Sequence, residues 1–119
     1  MKKTIILGAT PNTQRYAFEA AKRLNEEGID FIPIGIKRGE VFGHKIINEK
    51  KIFQNIDTIT LYIGPSKQEE WTEYILKTKP GRLIFNPGTE NNLLAEKARK
   101  IGINVVFACT LVMLSIGSY

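Results

Sequence analysis

The chain has 119 residues, with 17 Lys and Arg against 12 Asp and Glu (formal net charge +5), and its single cysteine, Cys109, excludes an intrachain disulfide from what we expect to be one domain. The apolar runs are shorter than the ~20 residues of a membrane span, and the first is shorter than the ~7–15 residues of a signal-peptide core, so we expect a cytoplasmic protein. The cations are dispersed among acidic residues without a basic and aromatic stripe, which argues against nucleic acid and favours a small polyanionic ligand or plain solubility.

Apolar strands and amphipathic helices alternate along the chain. The first helix is predicted over residues 13–27 from apolar residues spaced i, i+3, i+4 and i+7, and it ends at Gly28. A second helix begins at the capping box that Ser66 and Glu69 form, and a third at Thr89 or Glu90. Residues 110–116 are predicted to form a short terminal helix or a tail. The predicted strands cover residues 4–7, 31–35, 44–48 (a short edge strand), 58–63, 83–85 and 104–107.

This repetition predicts an α/β fold in which a doubly wound parallel sheet carries helices on both faces, as three αβα layers. The expected architecture is a single Rossmann-like domain over residues 1–119 with strand order 3-2-1-4-5-6. The switch point of that order lies between the first strand and the strand over residues 58–63. Ligands of such sheets bind beyond the carboxyl ends of the strands at this point.

The turns at that edge of the sheet are rich in glycine and proline. The turn after the first strand, residues 8–12, contains only small or polar residues and proline, so its backbone N–H groups and the following helix start could face an anion. The pattern is not G-x-G-x-x-G, because only Gly8 is a glycine. Two further turns, at residues 63–66 and 86–89, are expected beside it. Together they predict a binding site for a phosphorylated, nucleotide-like ligand.

The order and spacing of several short motifs resemble the small stand-alone CoA-binding proteins, which are related to the CoA-binding domain of the succinyl-CoA synthetase alpha subunit. The resemblance covers nearly the whole chain. The family usually has Val-Asn-Pro at the end of the second strand, where this chain has Ile34-Gly35-Ile36. The motifs are Gly8-Ala9-Thr10-Pro11-Asn12 with Arg15, Pro33-Ile34-Gly35, Gly43 with Lys45, Asn86-x-Gly88 with Asn91-Asn92, and Val105-Val106 with Cys109.

The resemblance implies a Rossmann-like domain that holds coenzyme A (CoA), or an acyl-CoA, across the switch point. The turn after the first strand would cradle the phosphates through its amides, the Thr10 hydroxyl would add a donor, and Arg15 would reach a phosphate. The stretch after the second strand would flank the adenosine and its 3′-phosphate, and the turn after the fourth would line the pantetheine or pyrophosphate path. The implied ligand-binding residues are Gly8, Ala9, Thr10, Asn12, Arg15, Gly35, Ile36, Lys37, Arg38, Ile63, Gly64, Pro65 and Gly88.

Non-enzymatic binding is the function that we predict, because the sequence contains no serine-hydrolase, zinc-protease or P-loop motif. One alternative is a module for an NAD(P)-type dinucleotide, although residues 35–37 offer no acidic group for a ribose hydroxyl. Another is an interaction protein whose site has degenerated. No metal site is expected, because His44 has no other ligand at metal-binding spacing. The apolar C-terminus suggests a homodimer surface made by Met113, Leu114, Ile116 and Tyr119.

Overall fold

The computed structural model describes residues 3–119, which form one layered α/β domain. The strands are β1 (Thr4–Leu7), β2 (Phe31–Ile34), β3 (Glu40–Val41), β4 (His44–Lys45), β5 (Thr58–Leu61), β6 (Arg82–Phe85) and β7 (Asn104–Phe107). The helices are α1 (Tyr16–Glu26), α2 (Pro65–Thr78), α3 (Asn92–Lys100) and α4 (Thr110–Ser115). No helix among residues 3–119 is both long and apolar enough to cross a bilayer.

Five strands form a parallel sheet in the order β2-β1-β5-β6-β7. Alternate residues of each strand face opposite sides. On one side, Ile5 and Leu7 lie in a core with side chains of α2 and α3. On the other, Ile6 contacts a smaller core that includes residues of α1 and α4. The predicted αβα sandwich and Rossmann-like class are confirmed, and the order reverses direction between β1 and β5.

The predicted order 3-2-1-4-5-6 needs one correction, because the edge strand expected over residues 44–48 is not a sheet strand. Its first two residues form β4, which pairs antiparallel with β3. Phe42 and Gly43 both have positive φ, as a two-residue hairpin turn requires. Only Ile47 reaches the main sheet, through a single parallel bridge to Ile34. Beyond it, the Asn48 side chain donates to two carbonyl groups of the loop after β2 in place of a ladder.

Two helices begin at residues other than those predicted. The N-cap of α2 is Gly64 rather than Ser66, because Pro65 occupies the first helical position, where its fixed φ is favourable. The N-cap of α3 is Asn91, whose Oδ1 accepts a hydrogen bond from the Leu94 amide at 3.2 Å. These shifts move the turns at the carboxyl edge of the sheet by two or three residues without changing which strands they follow.

Candidate functional site

A cleft opens beyond the carboxyl ends of β1 and β5, where the strand order reverses. Its central lobe has a volume of about 320 Å³ and is bounded by the turns after β1, β5 and β6 together with the start of α1. The residues that line the central lobe are Gly8, Thr10, Asn12, Arg15, Tyr16, Ala17, Tyr62, Gly64, Pro87, Gly88 and Thr89.

A side lobe of about 210 Å³ continues this cleft toward the end of β2. It shares Gly8, Arg15, Tyr62 and Gly64 with the central lobe. Its own lining residues are Ala9, Gly35, Ile36, Lys37, Ile63, Lys67, Glu70 and Trp71. The two lobes are therefore parts of one elongated cleft and meet at these four shared residues.

An apolar lobe of about 250 Å³ adjoins the central lobe on its other side. The two have Tyr16, Tyr62 and Pro87 in common. The remaining walls of the apolar lobe are Asn86, Cys109 and Leu111. Cys109, a free thiol of intermediate burial, is thus placed at the same edge of the sheet as the predicted phosphate turn.

The structure brings most of the implied ligand-binding residues into this cleft. Every one of them lines the central or the side lobe except Arg38 and Pro65. Pro65 lies instead in a groove between α2 and α3, beside Asn91 and Leu93. Arg38 follows Lys37 in an exposed loop and lines neither lobe.

Gly8 and Ala9 do not offer their amides to the cleft. Both amides donate to the carbonyl oxygen of Ile34, at 2.8 and 3.1 Å, and so tie the turn after β1 to the end of β2. The Asn12 amide donates to Thr10 Oγ1 at 3.2 Å, which leaves the hydroxyl proton of Thr10 free to donate elsewhere. The amides of the first two residues of the turn, which were expected to bind phosphate, are therefore not available to a ligand.

The start of α1 supplies the open donors instead. The amides of Tyr16 and Ala17 donate to no other described residue, and the Arg15 side chain at the N-cap makes no capping hydrogen bond. Unpaired amides in a first helical turn, together with the helix dipole, attract anions. Both residues line the central lobe. This helix start therefore has the polarity that a phosphate needs.

The charged side chains of the cleft give it a positive excess. Arg15, Lys37 and Lys67 line it against one carboxylate, that of Glu70. Both ion pairs found among residues 3–119 belong to Arg23 in the last turn of α1, so none of the three cleft cations is neutralised by a partner at close range. Uncompensated cations around a concave surface favour an anionic ligand.

Gly88 already has an intramolecular partner. Its amide donates to the Glu90 carboxylate, Oε1, at 2.9 Å. Gly88 has a positive φ of 92° and no heavy atom within 4 Å of a Cβ built on it. A ligand could use this amide only by displacing the Glu90 side chain.

Gln68 joins the two loops that face each other across the cleft. Its side-chain amide is fully buried and donates to the carbonyl groups of Ile63 (2.8 Å) and Thr89 (2.7 Å). Its oxygen accepts from Asn91 Nδ2 at 2.9 Å. All the hydrogen-bonding groups of this buried amide except one lone pair are thus used to hold the loops after β5 and β6 at a fixed separation.

A second buried network lies under the apolar lobe. Asn86 Nδ2 donates to Thr60 Oγ1 at 2.7 Å and to the Leu61 carbonyl at 2.9 Å. Asn86 Oδ1 accepts from the Thr110 amide at 2.8 Å, and the Thr60 and Thr110 hydroxyls are 2.7 Å apart. The network fixes the start of α4 against β5 and β6 and consumes the polar atoms of Asn86.

Tyr62 borders all three lobes, but its hydroxyl oxygen is buried. It has no hydrogen-bond partner of normal geometry. Burial raises its pKa to about 12, against smaller opposing effects of the nearby Thr60 and Thr110 hydroxyls. Tyr62 is therefore neutral at physiological pH and contributes its ring, rather than a charge, to the cleft walls.

Several residues that line the cleft were not among those predicted from the sequence. Tyr16, Ala17, Tyr62, Lys67 and Pro87 all flank the turns that the sequence did single out. The signal that could have found them is position alone, because each lies within three residues of a predicted site residue. Among residues 3–119, no group of three or more metal-ligating side chains converges.

Several solved structures are similar to this fold. A crystal structure of an uncharacterized protein has a TM-score of 0.98 and 56% identity, covering 100% of this chain and 98% of that one. A hypothetical protein from Pyrococcus horikoshii OT3 has a TM-score of 0.86 and 29% identity, covering 97% and 82%. A protein from Thermus thermophilus has a TM-score of 0.87 and 21% identity, covering 99% and 90%, and so supports the fold alone.

A comparison with curated proteins found no match. The family described as CoA binding domain, in contrast, matches residues 2–115, which is nearly the whole chain. That match agrees with the Rossmann-like sheet and with a cleft at its switch point. The chain belongs to the CoA binding domain family.

Proposed function

We propose that this protein binds coenzyme A or an acyl-CoA, without catalysing a reaction, in the cleft beyond β1 and β5. The observation that carries the proposal is the open start of α1 inside that cleft, where the amides of Tyr16 and Ala17 are unpaired beside Arg15. A pyrophosphate carries the charge that such a helix start attracts. Family membership supports a CoA-type ligand over other anions.

The two lobes divide the ligand between them. The pyrophosphate occupies the central lobe, where Thr10 Oγ1 and the first turn of α1 can donate to it. The adenosine extends into the side lobe. There the exposed side chain of Ile36 offers an apolar surface to the base, and Lys37 and Lys67 are the cations available to the 3′-phosphate.

An NAD(P)-type dinucleotide is the rival ligand. Dinucleotide sites of this fold place an acidic side chain at the end of the second strand to bind the ribose hydroxyls. Here that position is followed by Gly35, Ile36 and Lys37, and a lysine favours a ribose phosphate instead. The 3′-phosphate of CoA satisfies this preference.

Isothermal titration calorimetry with CoA and NADH, run side by side, tests the proposal. We expect saturable heat with CoA and much weaker heat with NADH. Equal or stronger binding of NADH would favour the dinucleotide function, whereas no heat with either ligand at millimolar concentration would favour a protein whose site has degenerated.

Self-association and location belong to the same proposal. Leu114 and Tyr119, which the sequence suggested for a dimer surface, contact the core of this same chain. Of the four residues suggested from the sequence, Ile116, the C-cap of α4, is the one that is exposed (71%) and so remains available for a homodimer contact. Light scattering of wild-type protein and of Ile116→Lys distinguishes dimer from monomer, and a cytoplasmic location stays a prediction.

A further inference from the structure

The apolar lobe has the form of a pocket for a hydrocarbon chain. Its walls are the Tyr16 and Tyr62 side chains, Pro87, Leu111 and Cys109, with Asn86 as the remaining residue. Asn86 offers the lobe neither an unpaired donor nor an acceptor without a hydrogen bond, because its amide is bound to β5 and α4. The Tyr62 hydroxyl is withdrawn from the surface. A polar ligand group would therefore find little to bind here.

The position of this lobe fixes which part of a ligand could enter it. It joins the central lobe through Tyr16, Tyr62 and Pro87, on the side opposite the lobe that contains Ile36 and Lys37. If the pyrophosphate lies in the central lobe and the adenosine beyond it on one side, the pantetheine arm must leave on the other. The end of that arm is the sulfur that carries an acyl group.

We propose that the apolar lobe binds the acyl chain of a short-chain acyl-CoA, so that the protein prefers thioesters of about four to six carbons over free CoA. The inference rests on the proposed function and adds the class of ligand. An apolar cavity of about 150 Å³ is enough for benzene, a six-carbon group. The lobe measures about 250 Å³, which leaves room for the thioester as well.

A chain-length series measures this preference directly. Free CoA, acetyl-CoA, butyryl-CoA, hexanoyl-CoA and dodecanoyl-CoA are titrated into the wild-type protein by calorimetry. We expect affinity to rise by up to about four-fold for each methylene group buried, and therefore by up to about fifteen-fold from acetyl to butyryl. Dodecanoyl-CoA should gain nothing over hexanoyl-CoA because the lobe is then full.

Two substitutions at Leu111, with a control at the neighbouring Val112, test whether the chain-length preference arises in this lobe. Leu111→Trp should fill the lobe and abolish the chain-length dependence while the affinity for free CoA is kept. Leu111→Ala should enlarge it and move the preferred chain to greater length. Val112→Trp is the control, because Val112 is exposed on the same helix and does not line the lobe.

The outcomes separate this inference from the function on which it rests. CoA binding with equal affinity for all the thioesters would overturn the acyl pocket and leave CoA binding intact. A chain-length preference that Val112→Trp abolishes as strongly as Leu111→Trp would also overturn it. If neither CoA nor any thioester binds, the proposed function fails and the acyl pocket fails with it.

Discussion

Gly8 and Tyr62 approach so closely that a Cβ on Gly8 would lie 2.9 Å from both the carbonyl carbon and the carbonyl oxygen of Tyr62. Gly8 also has a φ of +100°, which side-chain-bearing residues rarely adopt. The contact brings together the ends of β1 and β5 where the central and side lobes of the cleft meet. Gly8 is therefore required by the fold, whatever it does for a ligand.

Gly64, which like Gly8 lines both the central and the side lobe, differs from Gly8 in its backbone conformation and its surroundings. A Cβ there would meet no heavy atom within 4 Å, and its φ of −64° is ordinary. Gly8→Ala should lower the free energy of unfolding by about 2–4 kcal/mol, since it adds both backbone strain and a steric clash. Gly64→Ala should cost under ~1 kcal/mol. Urea unfolding monitored by circular dichroism measures both.

Gly64→Ala, which should leave the fold almost unchanged, is the variant that tests where the ligand lies. If the pyrophosphate lies against the backbone at Gly64, the added methyl group of Gly64→Ala should weaken CoA binding at least about ten-fold, because a close approach to the main chain is lost. A stable Gly64→Ala protein with wild-type affinity would place the ligand elsewhere. Folded protein is confirmed by its unfolding curve before titration.

Arg15→Ala should weaken CoA binding by about 1–3 kcal/mol, the usual contribution of a charge-assisted hydrogen bond to phosphate. Lys22→Ala is the matched control, because Lys22 is an exposed cation of the same helix that lies outside the cleft. Calorimetry at fixed ionic strength measures both. Equal losses in the two variants would mean that only net charge matters, and no loss in Arg15→Ala would mean that its guanidinium faces water.

Lys37 and Arg38 are neighbours, yet only Lys37 lines the side lobe. Lys37→Ala should weaken CoA binding by about five-fold, the scale of an exposed ion pair, and Arg38→Ala should change it little. The comparison is repeated with dephospho-CoA, which lacks the 3′-phosphate. The effect of Lys37→Ala should then disappear. An equal loss of affinity for both ligands would show that Lys37 does not bind the 3′-phosphate.

Gln68→Met replaces a buried amide by an apolar side chain of similar length. The carbonyl groups of Ile63 and Thr89 lose their donors, so unfolding should become easier by about 1–3 kcal/mol. The loops after β5 and β6 would also lose their connection, so CoA affinity should fall although Gln68 touches neither lobe. Denaturant unfolding and calorimetry test the two effects. Unchanged affinity would show that the loops keep their places without Gln68.

Stability should fall in strong base because of Tyr62. An unfolded tyrosine titrates near pH 10, whereas burial raises the pKa of Tyr62 to about 12 in the folded protein. Between these pH values the unfolded state loses the tyrosine proton first. The contribution of Tyr62 to the free energy of unfolding, about 2–3 kcal/mol, is therefore complete below pH 10 and is lost as the pH rises to 12. Tyr62→Phe should lack this part of the pH dependence. A variant curve parallel to the wild-type curve would contradict the assignment.

The general architecture could be predicted because its signals are local. The apolar segments that became β1, β2, β5, β6 and β7 are separated by amphipathic helical patterns, and parallel crossovers have one favoured hand. The edge strand could not be predicted as easily. A positive φ at Phe42 and Gly43 turns the chain back on itself, and Asn48 replaces ladder bonds with side-chain bonds.

The position of the candidate cleft in the fold could be predicted better than the hydrogen-bonding groups that it offers. The sequence indicated that the turn at residues 8–12 lies at the switch point, and the structure places it there. Nothing in the sequence indicates that the Ile34 carbonyl oxygen accepts hydrogen bonds from the amides of Gly8 and Ala9, because that pairing depends on the approach of β2. The roles of Tyr62 and Gln68 arise in the same way, from contacts between distant segments.

An amide-resolved NMR titration shows whether CoA binds at the start of α1, beyond the carboxyl ends of β1 and β5. In ¹H–¹⁵N spectra of the wild-type protein, we expect the largest shifts at the amides of Thr10, Tyr16 and Ala17, with smaller shifts around Gly64. Saturating CoA that leaves the first turn of α1 unshifted, or that shifts residues on another face of the sheet instead, would contradict this binding site.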